Sequence, residues 1–586
     1  MDNPPAHEAP SFDVKLTSRP DAKTQRYDRQ LRLWAASGQA ALESAHVLVV
    51  NGSATATSIL KNLVLPGIGQ FTILDDKRID NADLGNNFFL EPGSSRLGDY
   101  RAVETAKYLA ELNEGVRANA LTKSPQSVDE FLKGSLDPLG PYSLVISVNA
   151  EPEETLLLSD RCWDVAVPML AVKSCGFIGS ARTQMQEAHF IETHPDQEAT
   201  LDLRLDCPFP SLSSHASSIN FSSLDSHEYA HIPATIILLQ ALDLWKGSHE
   251  GLMPQNYKEK IAFKKCLADL KRGGPNADHE NFDEAAGLVM KTLKRTKVPA
   301  YILELFQDHQ CEHVGLDSAP FWLLLRSIRN FVNSPSTNSG APLLPLSGSL
   351  PDMKATSSGY SALVSLYRSK AKEDLASVRA ELFSVLQLAG LPVDDTTVSE
   401  EMLAVFVKNV SFVRVVRGRK MRDEYERPDK EAIRSALKSA SAADPFADPS
   451  ALSGAHTVHP VHFYLALRAS DRFYVEYSRW PGSQPDDIDS EGDLDMEDLM
   501  QCAGKVVKIC TGEEEDGKGM AKVGETTEMA CSEIARAGAA DLPQMAALLG
   551  GIVAQEAIKI VTKQYIPLNG TVIFDGIRSA SQSLNF

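Results

Sequence analysis

The pattern of apolar and polar positions is most informative between His46 and Phe89. An unbroken apolar run, Val47-Leu48-Val49-Val50, has the composition of a strand buried on both faces. The small residues Asn51-Gly52-Ser53-Ala54-Thr55-Ala56 follow, and then Ile59, Leu60, Leu63 and Val64 recur at helical spacing. Pro66-Gly67 stops that helix, and Gln70-Phe71-Thr72-Ile73-Leu74-Asp75 reads as a second parallel strand closing on an acid. Such a βαβ unit suits a dinucleotide, with phosphate on the helix N-terminus and the acid on the ribose. The turn argues the other way. Only Gly52 remains of the glycines that would let backbone N–H groups approach a phosphate without Cβ clashes.

Upstream, Leu31, Leu33 and Trp34, then Ala41 and Leu42, predict an apolar helical face leading into the first strand, with Arg26, Arg29 and Arg32 beside it. Downstream, a helix is expected over RAVETAKYLAELN. Strands are expected near Ser143–Val148 and Val167–Val172, extending a doubly wound parallel sheet. From about residue 185 long helical stretches take over. They include HIPATIILLQALDLWKG, NYKEKIAFKKCLADLKRG, ENFDEAAGLVMKTLKR and a long stretch from SGYSALVSLYRSK onward. The last stretch returns to αβ character: DLPQMAALLGGIVAQEAIKIVTKQ predicts a helix whose Gly550-Gly551 pair admits a close backbone, and GTVIFDG a closing strand. The organisation expected is a frayed terminus over 1–23, an α/β domain over 24–185, a mostly helical insert over 186–499 with an acidic linker near 483–498, and the rest of the α/β domain over 500–586.

Composition narrows the function. The 586 residues carry 58 basic and 78 acidic side chains, a net charge of −20, with no basic run interleaved with aromatics. That speaks against nucleic acid and anionic membrane as partners. No uninterrupted apolar run reaches the ~18 residues of a membrane span, and the N-terminus has no secretory layout. The eight cysteines form no CxxC pair and no Cys/His cluster at zinc spacing, as expected of reduced thiols in a cytosolic or nuclear protein.

The ordered set RYDRQLRLW, LKNLVLPGIGQFTILD, GNNFFL, LRLDCPFP, GSLPDM, FVKNVSFVRVVRGR and GGIVAQEAIKIVTKQ resembles the activating enzymes of ubiquitin-like modifiers. Within that family it is most similar to the regulatory, non-catalytic halves of the neddylation-activating heterodimers; THPD at 193–196 belongs to the same set. The resemblance implies a Rossmann-like adenylation domain interrupted by a helical domain resembling a catalytic-cysteine domain without its cysteine. It implies a catalytic subunit as partner and a Nedd/Rub-type modifier. ATP and Mg would be held by that partner, with no cofactor or metal on this chain.

Carried over residue by residue, the family's nucleotide site is depleted here. Asp75 keeps the ribose acid, but the second acid of the pair falls on Lys77, the phosphate-side Arg and Gln on Asn86 and Asn87, and the phosphate lysine on Arg101. The metal-binding aspartate is replaced within Asn149-Ala150-Glu151. Gly52, Asp75, Lys77, Asn86, Asn87 and Arg101 are therefore vestigial candidates. Losing several cations and the metal together should abolish a step whose transition state spreads negative charge. Arg29 of YDRQ matches the arginine that reaches across the dimer into the neighbour's ATP site, a clamp acting in trans. Arg29, Gln30, Phe88, Phe89, Leu350, Pro351, Asp352 and Met353 are the partner-interface candidates.

The thiols offer little. Cys510-Thr511 precedes a run of acids that disfavours a thiolate. Cys207 alone is worth testing as a nucleophile. The alternatives are the matching half of a SUMO-activating heterodimer, an NAD-dependent oxidoreductase, and a nucleotide-free Rossmann scaffold.

Overall fold

The structure is a computed structural model and describes residues 21–93, 96–122, 128–134, 137–193, 202–272, 277–334, 343–394, 396–441, 458–483, 492–513 and 521–586. Most of the frayed N-terminus, most of THPD, most of the acidic linker and the acids after Gly512 lie outside the described residues.

The chain forms two compact units. The first comprises 1–186, 417–562 and 567–586; the second comprises 187–416 and 563–566. The first is built on an eight-stranded sheet of β1 (His46–Val50), β2 (Gln70–Leu74), β3 (Arg117–Leu121), β4 (Leu144–Val148), β5 (Met169–Cys175), β6 (Ile178–Gln184), β9 (Gly570–Asp575) and β10 (Ala580–Leu584). Its order is β10-β9-β6-β5-β4-β1-β2-β3. The five strands from β3 to β5 are parallel, and β6, β9 and β10 add an antiparallel extension. The order reverses at β1, between β2 and β4, and ligands of doubly wound sheets bind in the crevice at such a switch point.

The apolar pattern explains these elements. Val47 to Val50 and Leu144 to Val148 are buried on both faces, as parallel strands under helices must be. Helix Ala54–Val64 buries Ile59, Leu60, Leu63 and Val64 as its spacing predicts. Helix Pro543–Thr562 is long and apolar enough to cross a membrane, but Leu549, Val553, Ala557 and Ile560 are buried inside the unit. A Cβ on Gly550 would fall 2.7 Å from the Cβ of Ser58 on helix Ala54–Val64, so this glycine sets the close approach; Gly551 faces open space.

Two expectations need correction. The helical insert ends earlier than 499: residues from Arg417 onward, apart from 563–566, belong to the α/β unit. Helix Pro460–Tyr477 buries Phe463, Tyr464 and Phe473 in the same cluster as Ile178, Ile573 and Phe586. Helical periodicity reports that a face is buried, not against which unit. The apolar face expected near Trp34 is broken. Trp34 and Ala35 leave helical geometry inside helix Asp28–Ser44, so Trp34 is buried while Leu33 is 52% exposed. The second unit is mostly helical, with one two-stranded sheet in which β7 (Glu187–Ile191) pairs with β8 (Val413–Arg417).

The second unit has two apolar cores. One gathers Trp322, Phe331, Leu382 and Phe406; the other gathers Ile237, Phe263, Phe282 and Tyr367. The 33-residue helix Ser357–Ala389 supplies side chains to both and stops at Gly390, whose φ of 73° makes the left-handed cap.

Candidate functional site

Side chains of the chain itself occupy part of the crevice between β1 and β4. Arg101, the first residue of helix Arg101–Ala110, turns its buried guanidinium into the end of the sheet. Nε donates to Asp75 Oδ2 at 2.8 Å, one terminal nitrogen to Asp83 at 2.8 Å, and the other to Asn51 at 2.5 Å. Asp75 Oδ2 also accepts from the Gly52 N–H at 3.0 Å, and Oδ1 from the Lys77 N–H at 3.1 Å. Burial alone would lower the Arg101 pKa, but the carboxylates of Asp75 and Asp83 outweigh it and hold the group firmly charged. A Cβ on Gly52 would meet Asp75 Oδ2 at 3.0 Å, so the one glycine kept in the turn serves this internal contact.

A second plug sits on helix Ala54–Val64, where a nucleotide's phosphates would meet free N–H groups. Asp541 Oδ2 accepts from the Thr55 N–H at 3.0 Å, and Oδ1 accepts from the Thr55 hydroxyl at 2.6 Å. The Ser174 hydroxyl donates to the same carboxylate at 2.7 Å. Asn149 completes the arrangement: its Oδ1 accepts from the Ser174 N–H at 2.8 Å, and its Nδ2 lies 2.8 Å from the Ser174 hydroxyl. Asn51 Nδ2 ties the two strand ends together through the carbonyls of Val148 and Asn149. Asn51 and Asn149 both have positive φ, a conformation that asparagine tolerates better than most residues. Two cavities remain open here: one of about 190 Å³ bordered by Ser53, Lys77, Asn149, Ser174 and Asp541, and one of about 160 Å³ bordered by Asn51, Asp75, Lys77, Ala150 and Glu154.

A model of the ThiF family matches residues 27–586. The chain is 36% identical to the NEDD8-activating enzyme E1 regulatory subunit of Danio rerio, over 97% of this chain and 99% of that protein. The chain belongs to the NEDD8-activating enzyme E1 regulatory subunits of the ThiF family. The regulatory subunit AXL of Arabidopsis thaliana is 34% identical over 95% of this chain and 98% of its own length. E. coli MccB with ATP aligns with 27% of this chain and 48% of its own at 14% identity, with a TM-score of 0.24. Membership in the E1 regulatory-subunit family favours the neddylation-type reading over the SUMO-type half.

Against this family the predicted site residues sort into three groups. Gly52, Asp75 and Arg101 come together in the first plug, and Lys77 stands exposed beside them. Asn86 and Asn87 do not join them. Asn87 is buried at the end of helix Asn81–Asn86 and accepts from the Thr57 hydroxyl at 3.1 Å and the Phe89 N–H at 3.0 Å, so it braces a loop. Arg29 is exposed near the start of helix Asp28–Ser44 and has no side-chain hydrogen bond or ion pair among the described residues. Gln30 is half-buried, with its Oε1 lacking a partner. Phe88 is 81% exposed, the highest fraction among the described aromatic side chains, while Phe89 is half-buried. Leu350 and Met353 pack on the core of the second unit, which leaves them little to offer a partner. Pro351 accepts through its carbonyl from the Tyr360 hydroxyl, and Asp352 stays exposed.

The cysteines are all free. Burial first, then the charge of Asp206, pushes the Cys207 thiol up to about 11, and its Sγ lies 3.3 Å from an Asp206 oxygen. That setting is opposite to the one a nucleophilic thiolate needs. Burial likewise raises Cys510. No group of three or more His, Cys, Asp or Glu side chains is placed to hold a metal among the described residues. Asp541 and Ser174 were missed in the sequence because neither lies in a motif. The one available signal was an acid just before the Pro543 helix.

Proposed function

We propose that this chain is the non-catalytic half of an ATP-dependent activating heterodimer for a NEDD8-type modifier. Its partner, a catalytic subunit, binds ATP and Mg, adenylates the modifier and carries the thioester cysteine. The observation that carries this reading is the pair of internal plugs. Asp75, which would hold a ribose, is engaged by Arg101 and by the N–H groups of Gly52 and Lys77. The Thr55 N–H at the helix start, which would face phosphate, is engaged by Asp541. A phosphate brought there would meet a carboxylate, and like charges at contact distance oppose binding. The residues present do not fit ATP with its metal, and no step is assigned to this site.

Arg29 is the group this chain supplies to the partner's ATP. Its guanidinium is exposed, uncommitted and always charged, which suits a clamp on phosphate oxygens. Phe88 lies on the same α/β unit and suits the buried centre of a subunit interface.

The test is ATP–pyrophosphate exchange with NEDD8, run on this chain alone and on the heterodimer. Silence alone and exchange in the heterodimer is the expected result; exchange by the chain alone overturns the reading. In the heterodimer, Arg29→Ala should lower exchange by about 10³-fold, the scale of an arginine acting in trans. An unchanged rate removes Arg29 from the site while leaving the half-enzyme reading intact.

A further inference from the structure

The second unit carries a concentration of positive charge unlike the rest of this acidic chain. Helix Tyr257–Asp269 bears Lys258, Lys260, Lys264 and Lys265. Lys260 and Lys264 are an i,i+4 pair of like charges, an arrangement that destabilises a helix. Two acids offset the four lysines in part: Glu259, bonded to the Gln255 N–H at 2.7 Å and Asn256 Nδ2 at 2.6 Å, and Asp269 at the far end.

The neighbouring helix Glu280–Thr292 is itself net acidic, with Glu280, Asp283 and Glu284 in its first half, and the further cations follow its C-terminal end. Lys271 and Asp283 form an ion pair at 2.6 Å, which sets the end of the first helix against the start of the second. The two therefore run antiparallel, with Phe263, Leu267, Phe282, Ala285 and Val289 in one core. Antiparallel pairing returns the end of the second helix, followed by Lys294, Arg295 and Lys297, towards the start of the first. These three and the four lysines of the first helix have no side-chain hydrogen bond or ion pair among the described residues. The acids of the second helix, Glu280, Asp283 and Glu284, lie in its first half, away from the end that leads into Lys294. Asp206 accepts from the Thr296 N–H at 2.6 Å and its hydroxyl at 2.5 Å, and Glu250 is exposed. Tyr257 is 72% exposed and Leu252 54% exposed at the same end.

The geometry points to a docking surface for an acidic polypeptide segment carrying an apolar side chain. The cations supply charge complementarity and speed encounter, and Tyr257 and Leu252 supply an apolar anchor. Nucleic acid fits less well. Six of the seven cations are lysines, whereas bidentate phosphate recognition favours arginine. A single exposed aromatic makes no stacking platform, and the chain's charge of −20 repels a polyanion at long range.

The test uses the full chain at low salt. The probe is a short fluorescein-labelled peptide of alternating Asp and Glu with one central Leu, compared with an oligo(dT) strand of equal charge. The triple variant Lys258→Glu/Lys260→Glu/Lys264→Glu should weaken peptide binding by about 10-fold or more. Tyr257→Ala should weaken it by a smaller factor without changing its salt dependence. On the unaltered chain, the peptide should protect Lys258, Lys260, Lys264, Lys294 and Lys297 from reductive methylation. This second readout needs no variant to fold. Methylation unchanged by the peptide, or oligo(dT) binding more tightly and protecting the same lysines, overturns the proposal.

Discussion

The two compact units differ in how deeply they place charge. The α/β unit has exposed ion pairs, such as Lys23 with Glu43 and Arg32 with Asp28, but also deep ones. Arg101 sits between Asp75 and Asp83, all with side chains at most 11% exposed, and Arg182 pairs with Glu424 in the interior. In the second unit the ion pairs lie mostly outside, as with Lys354 on Asp278 and Glu280, Lys271 on Asp283, and Arg379 on Glu400. Exceptions are Asp374, buried against the Leu346 N–H and Lys370, and Arg204, buried beside Asp202. Buried charge is expensive and must be fully partnered, so its concentration at one sheet crevice marks a polar site that the chain has filled with its own groups. In the second unit, the lysines of helix Tyr257–Asp269 make no ion pair among the described residues.

This contrast can be broken most directly at Arg101. Arg101→Ala leaves two buried carboxylates without their cation and should cost about 3–5 kcal/mol. Urea unfolding of the variant checks it, and wild-type stability would mean that the crevice is not a buried charge site. In the second unit the equivalent vulnerability should be apolar. Leu382→Ala, at a buried core position, should cost about 2–5 kcal/mol in the same measurement. Asp541→Ala removes the acceptor for the Thr55 N–H and hydroxyl, and should cost about 1–3 kcal/mol. Faster amide exchange at Thr55 would locate that loss at the helix start.

A pH dependence separates buried from exposed groups within the α/β unit. Burial, then the charge of His459, pushes His462 down to about 4, while its ordinary value is 6.5. The folded state therefore prefers the neutral ring. This contribution to stability is complete above about pH 6.5 and is lost as pH falls towards about 4. Melting temperatures followed across that window should fall less steeply for His462→Gln than for the wild type. The smallest effect is expected at the second unit's surface, where Lys354→Ala should leave the urea midpoint nearly unchanged, since exposed ion pairs contribute little. A larger loss would show that its exposed pairs act as a network and would weaken the comparison.

Much of the α/β unit was legible because buried parallel strands are nearly pure apolar runs. Val47–Val50 and Leu144–Val148 needed no tertiary information, and neither did the helix at Ile59 to Val64. The antiparallel strands β6 and β10 were not seen. Arg182, Thr183 and Gln184 on β6 are polar yet buried, and a buried polar strand carries no hydropathy signal. The depletion of the nucleotide site was legible as missing glycines and cations. Its filling was not. Arg101 reads as a poor phosphate ligand until its three partners, far apart in the chain, converge on it.

The sequence by itself determined the α/β class, the interrupting helices and the absence of a glycine-rich phosphate loop, because each is written in neighbouring residues. Only the tertiary structure decided that Arg417 onward joins the sheet unit, and that Asp541 reaches Thr55. The physical reason is the same in each case. Periodicity and local composition fix which face of an element is apolar, whereas long-range packing decides what that face and its charges meet.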